Sequence, residues 1–314
     1  MRVHSDTTAR ATVFATLASV WLAEIRPDDL PTLAALPPLV EALGEPTSDR
    51  LTDLAVEYQR LFGFDVPPYE SVFLDPSGLL MAPATARVEA TYARLGWQPP
   101  RARVGAADHV GLELALVADL LGAGRVEAAV QVVHEHLAFW APLLVLTIRR
   151  LAPDRFYATL AEETLGALFE LLDAYTPPQT VALPLLPPPP RYEANGLPEP
   201  DVDEVAGPGL RELVRRLLTP RRAGLFIMRD DIRRLARQLE LPVGMGTRQM
   251  MLATLFRLAG QYDEVEALLA GLRALLDESA QSYVELSSRT PVWRLYADCW
   301  LQRVEETVRL LRSA

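Results

Sequence analysis

Ten prolines fall between Tyr175 and Pro208: Pro177, Pro178, Pro184, the run Pro187 to Pro190, Pro198, Pro200 and Pro208. A proline lacks the amide donor that a helix interior needs and fixes φ, so no helix can run through this stretch. A semi-rigid, extended connection is expected instead. Val181 to Leu186 would be a short extended piece, broken by Pro184. The 314-residue chain is thereby divided into a first domain at 1–175, a linker at 176–208 and a second, smaller domain at 209–314.

On both sides of the linker the apolar residues recur at helical spacing. Half the chain is hydrophobic and only 7% is aromatic, with alanine and leucine dominant, a composition that favours helix over strand. The periodicity predicts helices near 5–25, 47–62, 83–95, 109–122, 124–150 and 154–175, then near 208–218, 228–239, 247–259, 262–285 and 290–312. Thr247 is placed to cap the start of the 247–259 helix and Gly260 to end it. No alternating strand pattern and no fixed repeat is found, so the expectation is an all-α fold without solenoid architecture. The two long C-terminal helices suggest a hairpin.

Charge and cysteine content narrow the functional classes. Residues 1–200 hold 25 acids against 14 arginines, an excess of 11 negative charges, whereas residues 201–314 hold 16 acids against 17 arginines. An acidic first part disfavours nucleic acid and would steer a cationic partner towards it; equally, it keeps an ordinary surface soluble. All 31 basic residues are arginine, which coding bias explains as well as chemistry does. The single cysteine, Cys299, excludes an intramolecular disulfide and a cysteine-built metal site, and fits a reducing compartment. Ala11 to Ala23 has the length of a signal-peptide core, but Asp6 precedes it. Val13, Leu17, Val20, Trp21 and Glu24 also make an amphipathic stripe, so an ordinary first helix is expected. No stable membrane insertion is expected either, because no apolar run approaches the ~18 residues a span needs.

Three stretches stand out. In Pro67-Pro68-Tyr69-Glu70-Ser71-Val72-Phe73-Leu74-Asp75-Pro76, two prolines impose an extended approach and Tyr69, Phe73 and Leu74 offer apolar area. This is either a connection plugging the core or a lip that grips a peptide. In Asp108-His109-Val110-Gly111-Leu112-Glu113, Asp108 is expected to cap the helix that follows, and His109 and Glu113 share a face. That spacing serves a local hydrogen bond, acid–base work or, least of all, a metal. In His134-Glu135-His136-Leu137-Ala138-Phe139-Trp140, the alternate histidines point apart, while His136 and Trp140 share a face and would line a groove or pair in the core. Nucleophile-elbow, phosphate-loop and dinucleotide motifs are all missing, so no cofactor is implied. Met228, Met245, Met250 and Met251 fit core filling or an adaptable surface. Arg215, Arg216, Arg221 and Arg222 read as a solvated helix end.

In order and spacing, these stretches resemble the TorD/DmsD/NarJ family of molybdoenzyme maturation chaperones. The resemblance rests on Tyr58, Leu61 and Phe62, followed by Pro67, Pro68, Tyr69, Ser71, Val72 and Phe73. It continues through Asp108, His109, Gly111, Glu113 and Leu114, then His136, Leu137 and Trp140, with Phe156-Tyr157 beyond. Many relatives carry tryptophan where this chain has Tyr69. The resemblance implies a non-enzymatic, cytoplasmic chaperone. Its partner would be the catalytic subunit of a molybdopterin oxidoreductase, bound through a twin-arginine leader or a similar terminal segment until the cofactor is loaded. Carried over by position, it implies a peptide-binding face of Tyr69, Glu70, Ser71, Phe73, Asp108, His109, Glu113, His136 and Trp140. Residues from 209 onward match no motif. Two other readings stay open: a general helical adaptor that ignores leaders, and a metal-dependent hydrolase using His109, Glu113 and His134 or His136. A homodimer formed by helix exchange through the linker is a further expectation.

Overall fold

The computed structural model describes residues 2–100, 104–151, 153–175 and 208–313; of the expected linker at 176–208 all but Pro208, which opens a helix, lies outside them. Among the described residues every regular element is helical, and the one β-type contact is an isolated antiparallel bridge between Tyr69 and His109. These residues form two compact units. One comprises 2–75, 79–175 and 290–296; the other comprises 76–78, 208–289 and 297–313.

The first unit opens with α1 (Arg2–Leu22), two 3-10 turns at Pro27–Asp29 and Thr32–Ala35, and α2 (Pro37–Leu43). Then come α3 (Ser48–Tyr58), which widens into a π-type turn over Gln59–Asp65, α4 (Glu70–Leu74) and α5 (Pro83–Leu95). α6 (Val110–Gly122) and α7 (Val126–Val132) follow, then a second π-type turn at Val133–Leu137, α8 (Ala138–Arg150) and α9 (Arg155–Tyr175). Local chemistry sets the boundaries. Thr47 accepts the Arg50 amide at 3.2 Å to cap α3. Pro83 opens α5, where its missing N–H costs nothing, and Gly96 closes it in the left-handed region.

α1 lies against α6 and α9, burying Phe14, Leu17, Val20 and Trp21, so the stretch with signal-peptide length is a core helix here. Gly111 permits that approach: a Cβ there would meet Leu22 Cγ at 2.7 Å and the Ala18 carbonyl at 3.1 Å. The helical run Val126–Arg150 is long and apolar enough to cross a bilayer, and most of its apolar window is buried inside the fold.

The aromatic residues on either side of the motif stretches form one cluster. Phe62 packs on Trp21, Tyr58 and Tyr157 with ring centroids 4.8, 5.1 and 5.6 Å away. Each polar tip is satisfied: Trp21 Nε1 donates to Thr164 Oγ1, the Tyr58 hydroxyl to the Trp21 carbonyl and the Tyr157 hydroxyl to the Leu54 carbonyl. Arg50 ties three helices together. It donates to the Ala42 and Leu43 carbonyls at the end of α2 and bidentately to Asp154, at 2.7 and 2.8 Å. Asp154 in turn accepts the Phe156 amide at the start of α9.

Pro142 sits inside α8 and has no amide to give the Ala138 carbonyl. The missing donor comes from far along the chain, where Trp293 Nε1 donates to that oxygen at 2.8 Å from the 3-10 turn Pro291–Trp293. Trp293 is fully buried, as is Tyr296, whose hydroxyl lies 2.7 Å from His134 Nδ1.

The second unit contains α10 (Pro208–Leu218), α11 (Pro220–Ala223), α12 (Arg229–Gln238), α13 (Arg248–Gln261), α14 (Val265–Arg289) and most of α15 (Arg294–Ser313). Leu217, Phe226, Leu252, Leu268, Leu272 and Trp300 fill its core. Thr247 caps α13 as expected, accepting the Met250 amide, but the helix runs through Gly260 and the left-handed turn comes at Asp263, with φ of 62°. Met228 and Met251 are core residues, whereas Met245 and Met250 are exposed. The arginine cluster is answered by acids: Arg215 and Arg222 pair with Glu212, and Arg216 with Glu306.

Trp293→Phe keeps the ring but strands the buried Ala138 carbonyl, so stability should fall by about 1–3 kcal/mol. Urea unfolding measures this; an unmoved midpoint would show that the carbonyl has another partner.

Candidate functional site

The two prolines at 67 and 68 bring the chain in extended and leave α4 only five residues long. So short a helix cannot nucleate itself. Its first donors are satisfied from elsewhere. The Glu70 amide donates to the Asp108 carbonyl at 2.9 Å, and the Ser71 amide to Asp108 Oδ2 at 2.7 Å. The Val110 amide returns a bond to the Pro68 carbonyl at 2.9 Å, completing the bridge between the two stretches.

Asp108 therefore does not cap its own helix, as the sequence had suggested. Its other oxygen accepts the Thr85 hydroxyl at 3.0 Å, so it joins the loop, α5 and the start of α6. The cap of α6 is His109, whose Nδ1 accepts the Gly111 amide at 3.0 Å. An accepting Nδ1 puts the ring proton on Nε2. Burial lowers the His109 pKa to about 3, so the ring stays neutral, and it packs edge-on against Tyr69 at 4.9 Å. The Tyr69 hydroxyl accepts the Gly105 amide, and the Tyr92 hydroxyl donates to the Ala107 carbonyl, fixing the approach to Asp108.

Glu70 anchors a second network. Its carboxylate accepts from Arg87 Nη2 at 2.6 Å and from His136 Nδ1 at 2.8 Å, and His136 Nε2 lies 3.0 Å from the Thr91 hydroxyl. Glu113 completes a trio of fully buried carboxyls with Glu70 and Asp108. One of its oxygens takes only a long 3.4 Å bond from Trp140 Nε1, and the other has no partner. Burial, reinforced by the negative charges of Glu70 and Asp108, pushes its pKa well above the ordinary value of 4.5. The Ser71 hydroxyl is also buried without a partner.

The structure thus brings together the nine residues singled out by the sequence, but mostly beneath the surface. Glu70, Ser71, Phe73, Asp108, His109, Glu113, His136 and Trp140 are buried, Phe73 packing on Trp140 at 5.5 Å, and Tyr69 alone is partly exposed. The apolar lip expected from Tyr69, Phe73 and Leu74 is shared out differently. Phe73 and Leu74 face the core, while Leu79, Leu80 and Met81 stand exposed at 61%, 43% and 72%. Leu80 and the Tyr69 hydroxyl both flank Gly105, so this apolar surface adjoins Tyr69. The histidines do not converge: His109 caps a helix, His134 meets Tyr296 and His136 serves Glu70. Sequence reasoning missed Thr85, Arg87 and Thr91. Thr85, Val88, Thr91 and Tyr92 form the buried stripe of α5, and two threonines on an inward face were the available signal.

The first unit is a helical scaffold whose three motif stretches meet in one buried polar cluster beside an apolar rim. Residues 26–145 match the family model described as nitrate reductase delta subunit. The matched segment holds all three motif stretches and supports, for this part of the chain, the likeness to the TorD/DmsD/NarJ family, whose members are molybdoenzyme maturation chaperones that act in general without catalysis. No curated protein matches the chain.

A group whose pKa is raised on folding contributes its full stability below its ordinary value and loses it as pH climbs towards the folded value. Glu113→Gln removes that loss. Its stability should therefore decline less than the parent's from about pH 5 to pH 8 in thermal melts; parallel curves would mean that Glu113 is not held protonated.

Proposed function

We propose that this protein is a cytoplasmic chaperone for the catalytic subunit of a molybdopterin oxidoreductase. It binds the subunit's N-terminal twin-arginine leader, or a similar terminal segment, and holds the subunit until its cofactor is loaded. The observation that carries this reading is the union of the motif stretches at Asp108, directly beside the exposed surface of Tyr69, Leu79, Leu80 and Met81. A leader offers guanidinium groups followed by an apolar run. The apolar run suits Leu79, Leu80 and Met81, exposed on one short segment beside Tyr69. The negative excess over residues 1–200 speeds encounter with such a peptide and makes binding sensitive to salt. The buried members of the cluster, Asp108 and His109 foremost, set the position of the loop and do not form its outer face.

Calorimetric titration with a twin-arginine leader from a molybdoenzyme encoded nearby tests this reading. Binding should saturate, weaken with added salt and weaken further when both arginines are glutamine. Leu80→Ser combined with Met81→Ser should reduce affinity about tenfold, through lost apolar burial, while leaving the melting temperature unchanged. If neither peptide binds folded protein, the leader reading is wrong and the chain is a helical adaptor with another partner surface.

A further inference from the structure

The buried cluster is short of positive charge. Glu70, Asp108 and Glu113 are each fully buried, and the guanidinium that reaches them belongs to Arg87. Both oxygens of Asp108 are engaged, one by the Ser71 amide and the other by the Thr85 hydroxyl. Glu113 has one oxygen with no partner. Glu70 differs from both, since its partner is divided between inside and outside. His136 is buried with it, but the Arg87 side chain is 36% exposed. Among the described residues this ion pair links the buried cluster to solvent, and the link is a long, flexible side chain.

We propose that Arg87 occupies, in the free protein, the position taken by a guanidinium of the client segment in the complex, with Glu70 as the acceptor. The identity of that segment rests on the leader reading above; the guanidinium site itself does not. Exchange of one guanidinium for another leaves the buried charge balance unchanged, so it avoids the penalty of stripping Glu70 of its cation. Arg87, rooted on α5 outside its buried stripe, can swing into water without disturbing Thr85 or Thr91. The planar fork of arginine also fits a carboxylate better than the point charge of lysine, so the exchange selects arginine.

Arg87→Ala tests the proposal through two readouts. The first needs no peptide. The variant should melt at a lower temperature than the parent, and millimolar methylguanidinium should restore it, whereas methylammonium at equal ionic strength should not. The second is leader affinity, which should rise about tenfold in the variant because the internal competitor is gone. Should the alanine variant not fold, Arg87→Lys keeps a cation in place and should bind the leader more tightly than the parent, by a smaller factor. Equal or weaker leader binding by a folded variant, when the parent binds, overturns the exchange. Absence of methylguanidinium rescue overturns the site. If no form binds the leader but rescue is seen, the leader reading fails and the guanidinium site stands.

Discussion

Everything distinctive about the first unit depends on the backbone donors of one five-residue helix. α4 follows two prolines and has no cap of its own, so its first two amides would be stranded in a buried environment without Asp108. An unpaired buried amide costs roughly 1–3 kcal/mol, so the two bonds outweigh any surface ion pair in the unit. Once they form, the rest is constrained. Glu70 must point inward to Arg87 and His136, Phe73 must pack on Trp140, and Tyr69 is left beside Gly105 at the surface.

Helix positions were largely legible from the sequence because they follow from apolar spacing, and 83–95 is an α-helix over those same residues. The short elements were not. Pro37–Leu43 and Glu70–Leu74 are too brief for periodicity to register, and each depends on a side chain outside itself, Arg50 on the next helix for one and the far more distant Asp108 for the other. The same limit explains Asp108. A carboxylate just ahead of a helix reads as its cap, but here the neighbouring imidazole does that work and the carboxylate serves a helix 37 residues earlier. The motif residues do meet in space, but their depth was not readable, since a buried Glu70 and an exposed one have the same letter.

Under the proposed reading, the division between buried polar cluster and apolar rim also bears on how one site would tolerate varied clients. Hydrophobic contact is non-directional and accepts many side chains. A carboxylate fixed by an internal network accepts few. Placing the first at the surface and the second beneath it would separate affinity from identity, and substitutions in the rim leave the packing that Asp108 organises undisturbed.

The bond from Trp293 to the Ala138 carbonyl has a consequence for biosynthesis. The ribosome releases Pro142 about 150 residues before Trp293, which at cellular elongation rates is on the order of ten seconds. Throughout that interval the Ala138 carbonyl of α8 lacks the donor that it has in the folded protein. The first unit thus reaches its final state only after residues 290–296 have been made, long after α9 has left the ribosome, and until then its core is incomplete.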